Sequence, residues 1–367
     1  MISNSIQILN KLVAIRSLSG NETMMVNFMV NYFTENGINP FKQEGNLIVK
    51  IKGNNPDFAL IFNGHMDTVS PGNLNRWKTD PFKSTLIGNK LFGLGTSDMK
   101  SGLAAMMVVA KELLLNPPPI DVWFAFVTKE ELDGSGSKKF VDWFVKNTKY
   151  KKVGAIIGDT TGNNKLEIGH KGNAFIKVKF NGQSGHGSRP DKIHVQAIVE
   201  ANIFVSSIGN QVKIWQEKYE DKYLGVPSIA MTGISSGEMS SPNKIPGECV
   251  VQLDIRTTPA LHQKLIKELN NWLSHYEFVA EPASFGWCDS NEDIVKVVLE
   301  AAPKTKLTCS MGATDQCFFT LAGIPAVIFG PGEKTVVHQE NEWVDINEVE
   351  NFKDVYKRIV YLFGSNL

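Results

Sequence analysis

Apolar positions recur with helical spacing at the start of the chain, where Ile6, Leu9, Leu12 and Val13 fall on one face. A second periodic run passes through Met25, Phe28 and Met29, and Ser19 with Glu22 predicts a capping box ahead of it. Short β-branched or aromatic runs follow at 46–51, 58–62, 122–127 and 153–158, with helical patterns at 101–115 and 135–145 between them. This alternation predicts an α/β sheet covered by helices. Pro117-Pro118-Pro119 ends one helix and forces an extended approach to the strand from Asp121, because a residue before proline avoids helical backbone.

From about Ala174 the pattern changes to a strand at 175–180, a helix at 193–208, strands at 226–232 and 248–256, and a helix at 260–273. This βαββα set predicts a small domain inserted in the larger one, since the first pattern resumes after Phe278 with a helix at 294–301, a strand at 326–329 and a helix at 346–363.

Composition narrows the function. With 42% hydrophobic residues in 367 the chain is not disordered, and its length accommodates one large or two ordinary domains. Its 38 Lys and Arg balance 38 Asp and Glu without a basic block, so it offers no footprint for nucleic acid or anionic lipid. The longest apolar stretch, 102–115, is interrupted by Lys111 and Glu112, which predicts a soluble protein without a membrane span. The first 17 residues lack a basic region and a small-residue cleavage site, and a cytoplasmic location is expected. Cys249, Cys288, Cys309 and Cys317 form no CxxC pair, so reduced thiols and no structural metal are expected.

The candidate chemistry sits where predicted strands end. The strand FALIF runs into Asn63-Gly64-His65-Met66-Asp67, and ligands of open α/β sheets gather at such carboxyl ends. A histidine with a carboxylate two residues on suits a metal ligand held by a second acceptor, although a hydrogen-bonded turn histidine reads the same way. Asp98, in Gly93-Leu94-Gly95-Thr96-Ser97-Asp98-Met99-Lys100, precedes a helix beside a glycine-permitted bend. A carboxylate there can bridge two cations, or simply cap the helix; no GK[ST] or GxGxxG supports a phosphate loop. Glu130 and Glu131 follow the strand VWFAFV, so that one can ligate metal while the other takes a proton from the water that the metal activates, unless they form a solvated acidic turn. Asp159 ends another strand, and His338 follows the strand AVIF. Five strand ends of one sheet that offer such residues point to a two-metal hydrolase, and His, Asp and Glu without Cys suit zinc, cobalt or manganese.

The blocks NGHMDTVSPG, RWKTDPF, LFGLGTSDMKSGLAA, TKEELDGSGS, GDTTG, SGHGSRP and GPGEKTVVHQENEWV, in this order and nearly from end to end, resemble the M20 family of metallopeptidases, close to its acetylornithine deacetylase and succinyl-diaminopimelate desuccinylase members. The resemblance implies a mixed-sheet, two-zinc exopeptidase-like catalytic domain at 1–172 and 283–367, with an inserted α+β lid and dimerisation domain at 173–282. It implies that His65 and Asp159 hold one zinc, that Glu131 and His338 hold the other, and that Asp98 bridges them. Glu130 would be the general base and Asp67 would orient His65. His186 would reach a neighbouring subunit's site in a homodimer and stabilise the oxyanion, while Asn243 and Arg256 would bind the substrate carboxylate. Arg256 also reads as a strand-end salt bridge. Asp159-Thr160-Thr161 departs from the family's Glu-Pro-Thr, leaving that loop's shape open, and His194 stands where small residues are usual. His170 and Lys171 occupy a region that often contacts substrate; His194, His262 and His275 read as ordinary histidines. The functional readings are a deacylase of a small N-acylated amino acid, a metallo-exopeptidase such as a dipeptidase or glutamate carboxypeptidase, and a binding protein with a relic site. The presence of every ligand and the base disfavours the last.

Overall fold

The structure is a computed structural model that describes residues 3–162, 164–310 and 312–365. The chain divides into two compact units, one of Met1–Gly169, Gly286–Ser310 and Thr314–Leu367, the other of His170–Phe285 with 311–313.

The first unit is built on a nine-stranded mixed sheet. Its order is Phe41–Gln43, Asn46–Ile51, Ile120–Val127, Asn55–His65, Lys152–Ile157, Ala326–Ile328, Lys165–His170 and Gly286–Trp287, with Lys306–Ser310 paired to Lys165–His170. Asn55–His65 lies parallel to both Ile120–Val127 and Lys152–Ile157, and Ala326–Ile328 continues that parallel set. Register pairs His65 with Val127 and Asn63 with Ile157, so these carboxyl ends share one edge. Every residue of Ile120–Val127 is buried, as expected of a central strand covered on both faces. Phe140, Val141 and Phe144 of the helix Ser135–Asn147 and Phe319 of Gln316–Leu321 pack on Ile61, Trp123, Ala125 and Val127. The helix Ser101–Leu115 packs against both Asn4–Ala14 and Ile346–Ser365, and every residue from Ser101 to Ala110 is buried.

The capping box at Ser19 does not form. The helix Thr23–Glu35 carries no side-chain cap: Ser19 donates instead to Asp67, and Glu22 accepts from the backbone N–H groups of Gly20 and Lys129. Tertiary partners have claimed both side chains.

The second unit is a four-stranded antiparallel sheet in the order Ser228–Ser236, Glu248–Thr257, Gly172–Asn181 and Glu277–Ala283. The strand Glu277–Ala283 adds a fourth strand to the expected βαββα set; Pro282 and an exposed outer face leave it a weak signal at a sheet edge. The helix expected at 193–208 begins at Ala197 and runs to Lys218, and the one expected at 260–273 divides into Pro259–His262 and Leu265–Trp272. Ile176, Val178 and Phe180 face Phe204, Trp215, Leu253 and Leu269 in a separate core. Among the described residues, no helix is long and apolar enough to cross a membrane, and all four cysteines are free of disulfides.

Candidate metal centre

Four of the predicted ligand segments leave the parallel edge of the first unit. His65 closes its strand, Glu130 and Glu131 follow Val127 through a turn in which Lys129 takes φ +60°, Asp159 follows Ile157, and His338, with φ +61°, lies beyond Ala326–Ile328. Asp98 corrects the expectation of five ends of one sheet. It follows Lys90–Phe92, a strand of a separate three-stranded sheet, in the non-helical stretch before Ser101–Leu115. Nor is Asp98 the helix cap, a position taken by Lys100. Gly95, at φ +76°, turns this stretch, and Gly102 lets the helix approach the Gly158 carbonyl, which a Cβ there would meet at 2.3 Å.

The six side chains converge. His65 Nε2 lies 2.9 Å from Asp98 Oδ1, and His338 Nε2 lies 3.2 Å from Asp98 Oδ2 and 2.9 Å from Glu131 Oε2. Potential ligand atoms lie within 4.8 Å of one another in three groups: His65, Asp98 and Asp159; Asp98, Glu131 and His338; and His65, Glu130 and Glu131. The first two groups share Asp98. The ring of His65 is fixed at its other nitrogen, Nδ1, which donates to the Asp67 backbone carbonyl at 3.0 Å. The Asp67 carboxylate is 3.6 Å from that nitrogen. It accepts instead from Ser19 Oγ at 2.6 Å and from the N–H groups of Glu130 and Glu131 at 3.2 Å each, so it props the paired glutamates.

Burial would raise Asp98, but hydrogen bonds from His338 and His65 hold it well below the usual carboxylate range. Hydrogen bonds to Asp98 and Glu131 push His338 up to about 10, and Asp98 outweighs burial to raise His65. Burial lifts Asp159 to about 8, helped by Asp98, and raises Glu130 well above the ordinary range. Among the described residues, no lysine or arginine nitrogen makes an ion pair with Asp98, Glu130, Glu131 or Asp159. Two imidazoles and four carboxyl groups without a lysine or arginine ion pair form a set of nitrogen and oxygen donors that fits divalent cations such as zinc, cobalt or manganese.

Residues to which the sequence assigns no role complete the surroundings. Asp315, lifted by burial to about 6, accepts from Ser137 Oγ at 2.6 Å and Asn63 Nδ2 at 3.3 Å. Buried Lys100, lowered by burial to about 7, donates to the carbonyls of Leu12 at 3.0 Å and Ile15 at 2.9 Å. Glu342 is buried against the Asp98 backbone; burial and Asp98 raise it to about 8 although backbone donors oppose the shift. Asp315 has only a faint sequence signal, because a lone Asp reads as solvated, whereas Lys100 and Glu342 lie within the blocks LFGLGTSDMKSGLAA and GPGEKTVVHQENEWV, in which the resemblance assigns them no role.

In the second unit, His186 and Asn243 are neighbours across the paired strands Gly185–His186 and Lys244–Ile245, with 3.4 Å between His186 Nε2 and Asn243 Nδ2. Both are exposed, and His186 Nδ1 lies 2.8 Å from Ser188 Oγ. Arg256 donates to Asp254 at 2.9 Å, the salt bridge that was its competing reading. Lys171 is 8% exposed and donates to the Val226 carbonyl at 2.6 Å, while His170 Nδ1 lies 2.9 Å from the Lys171 carbonyl. His262 Nδ1 lies 2.8 Å from Thr257 Oγ1.

Comparison with known proteins adds an independent finding. The model of peptidase family M20/M25/M40 matches residues 61–362. An acetylornithine deacetylase of Buchnera aphidicola is 25% identical, covering 99% of this chain and 98% of the relative. A succinyl-diaminopimelate desuccinylase of Wolbachia pipientis is 26% identical over 97% of this chain and 92% of its own. A crystal structure of a tripeptidase from Staphylococcus aureus shares the fold, with a TM-score of 0.78 at 21% identity and full coverage of both chains.

Proposed function

We propose, from the premise that this chain belongs to peptidase family M20/M25/M40, that it releases a carboxylate from a small N-acylated amino acid. As a member it is a metal-dependent hydrolase of amide bonds. The deacylase reading rests on one observation: curated relatives covered almost end to end are an acetylornithine deacetylase and a succinyl-diaminopimelate desuccinylase.

In this reading His65 and Asp159 hold one cation, Glu131 and His338 the other, and Asp98 both; the two overlapping donor groups support this assignment. Zinc is the proposed metal, and when bound such cations lower the pKa of water and polarise the scissile carbonyl. Glu130, half-buried beside the donors, takes the proton of the attacking water and delivers it to the leaving amine. His186 donates to the oxyanion, and Asn243 and Arg256 bind the substrate carboxylate, for which a planar guanidinium suits both oxygens. Two copies pair through the inserted unit, where Ser228–Ser236 is an edge strand that exposes Met231 and Ile234. A cytoplasmic site of action accompanies this biosynthetic reading.

The second reading, a metallo-exopeptidase, uses the same donors. Zinc-loaded protein, with a chelated control, is assayed on N-acetylornithine, N-acetylmethionine, N-succinyl-diaminopimelate and a dipeptide panel. Chelator-sensitive release from one acyl amino acid is expected; hydrolysis of dipeptides alone would overturn the deacylase reading.

A further inference from the structure

Glu342 lies in the polar stretch Gln339-Glu340-Asn341-Glu342, yet it is 1% exposed. Its carboxylate meets three backbone donors. Oε2 accepts from Gly95 N at 2.8 Å, and Oε1 accepts from Ser97 N at 2.7 Å and Asp98 N at 3.0 Å. Its own carbonyl accepts from Gly93 N at 3.0 Å. The loop that presents Asp98 is thus gathered onto one side chain, carried by the segment that also carries His338.

Ser97 extends this tie to the third loop. Its hydroxyl donates to the Trp343 carbonyl at 2.7 Å and accepts from Glu333 N at 2.9 Å, while its carbonyl accepts from Thr160 Oγ1 at 2.6 Å, beside Asp159. None of these bonds uses a ligand atom of Asp98, Asp159 or His338. The arrangement holds the backbones in place and leaves the donor atoms free.

We infer that Glu342 is a positioning residue that fixes the Asp98 loop so that one carboxylate faces His65 and His338 together, and thereby sets the cation affinity of the centre. The inference rests on the proposed role of Asp98 as the shared ligand. Two contacts make its orientation matter: Oδ1 faces His65 at 2.9 Å and Oδ2 faces His338 at 3.2 Å, so rotation of this carboxylate would withdraw it from one of them. Groups that orient metal ligands in this way typically change metal affinity or activity by about 10- to 100-fold when replaced.

The test compares wild type, Glu342→Gln, Glu342→Asp and Glu342→Ala. Gln keeps the volume but turns an amide NH2 toward a backbone donor, Asp keeps the charge on a shorter arm, and Ala removes the acceptor. Zinc affinity is measured by competition with a chromophoric chelator at a temperature well below each metal-free unfolding midpoint. The expected result is that Gln folds, binds zinc roughly 10- to 100-fold more weakly and loses kcat with little change in KM, and that Asp recovers part of the affinity. If Ala does not fold, Gln and Asp carry the comparison. Wild-type zinc affinity in folded Gln or Ala protein overturns the inference. Asp98→Asn separates this outcome from failure of the metal assignment itself: retention of both cations in that variant refutes the assignment, whereas their loss alongside wild-type affinity in the Glu342 variants refutes the inference alone.

Discussion

The two units of this chain differ in what they do with their polar groups. In the first, His65 and Asp67 are 2% and 0% exposed and stand at the end of a strand buried on both faces, each fixed by hydrogen bonds to buried or half-buried partners. In the second, Glu248–Thr257 alternates between core and surface, and His186, Asn243 and Arg256 rely on local partners with at least partial exposure. The contrast teaches a division of labour. Groups proposed to hold the cations are fixed in advance, where low dielectric makes charge effective, and groups proposed to meet the substrate stay adaptable.

Removal of metal gives the largest expected effect and tests the fixed unit first. Dialysis against a chelator should lower turnover at least ~10³-fold and zinc should restore it, since Lewis-acid stabilisation contributes several kcal/mol. Chelator-resistant turnover would break the comparison at its stronger side. His186→Ala should cost roughly 10²- to 10³-fold in kcat, the usual scale for an oxyanion donor. Mixing it with Glu130→Gln protein should return activity where His186 serves a partner subunit, and an inactive mixture would argue against a shared site.

A smaller effect concerns stability. Burial raises Glu348 of the first unit from its ordinary 4.5 to about 7, so the folded state holds its proton more tightly than the unfolded one. That contribution is fully present below pH 4.5 and lost as pH rises through 7, by at most about 3 kcal/mol. Glu348→Gln should therefore gain roughly 1 to 3 kcal/mol on wild type between pH 5 and pH 8 in urea unfolding; parallel pH profiles would contradict the buried titration. The smallest effect belongs to the adaptable unit: Arg256→Lys should raise KM about 10-fold with kcat held within about twofold, because an ammonium cannot reproduce the planar fork. An unchanged KM would leave Arg256 to its salt bridge with Asp254.

Much of this centre is legible in the chain because its residues punctuate strong strand signals. The runs before His65 and Glu130 are long and apolar, and side chains at their ends have few alternatives. Asp98 is legible as a residue but not in its placement, since a pairing of Lys90–Phe92 with Trp343–Asp345, distant in sequence, brings its segment to the site. Ser19 misleads for a related reason: the local cap it predicts competes with a hydrogen bond to Asp67 across the fold, and the latter wins. Glu342 shows the general limit. A buried carboxylate that serves three backbone donors has the same spelling as a solvated one, and tertiary structure alone distinguishes them.

The most direct measurement of the central claim is zinc content and turnover on one preparation of Glu130→Gln. Two zinc ions per chain with hydrolysis reduced by about 10³-fold or more would separate the base from the ligands, as the account predicts. Wild-type turnover, or loss of the metal with the substitution, would contradict it.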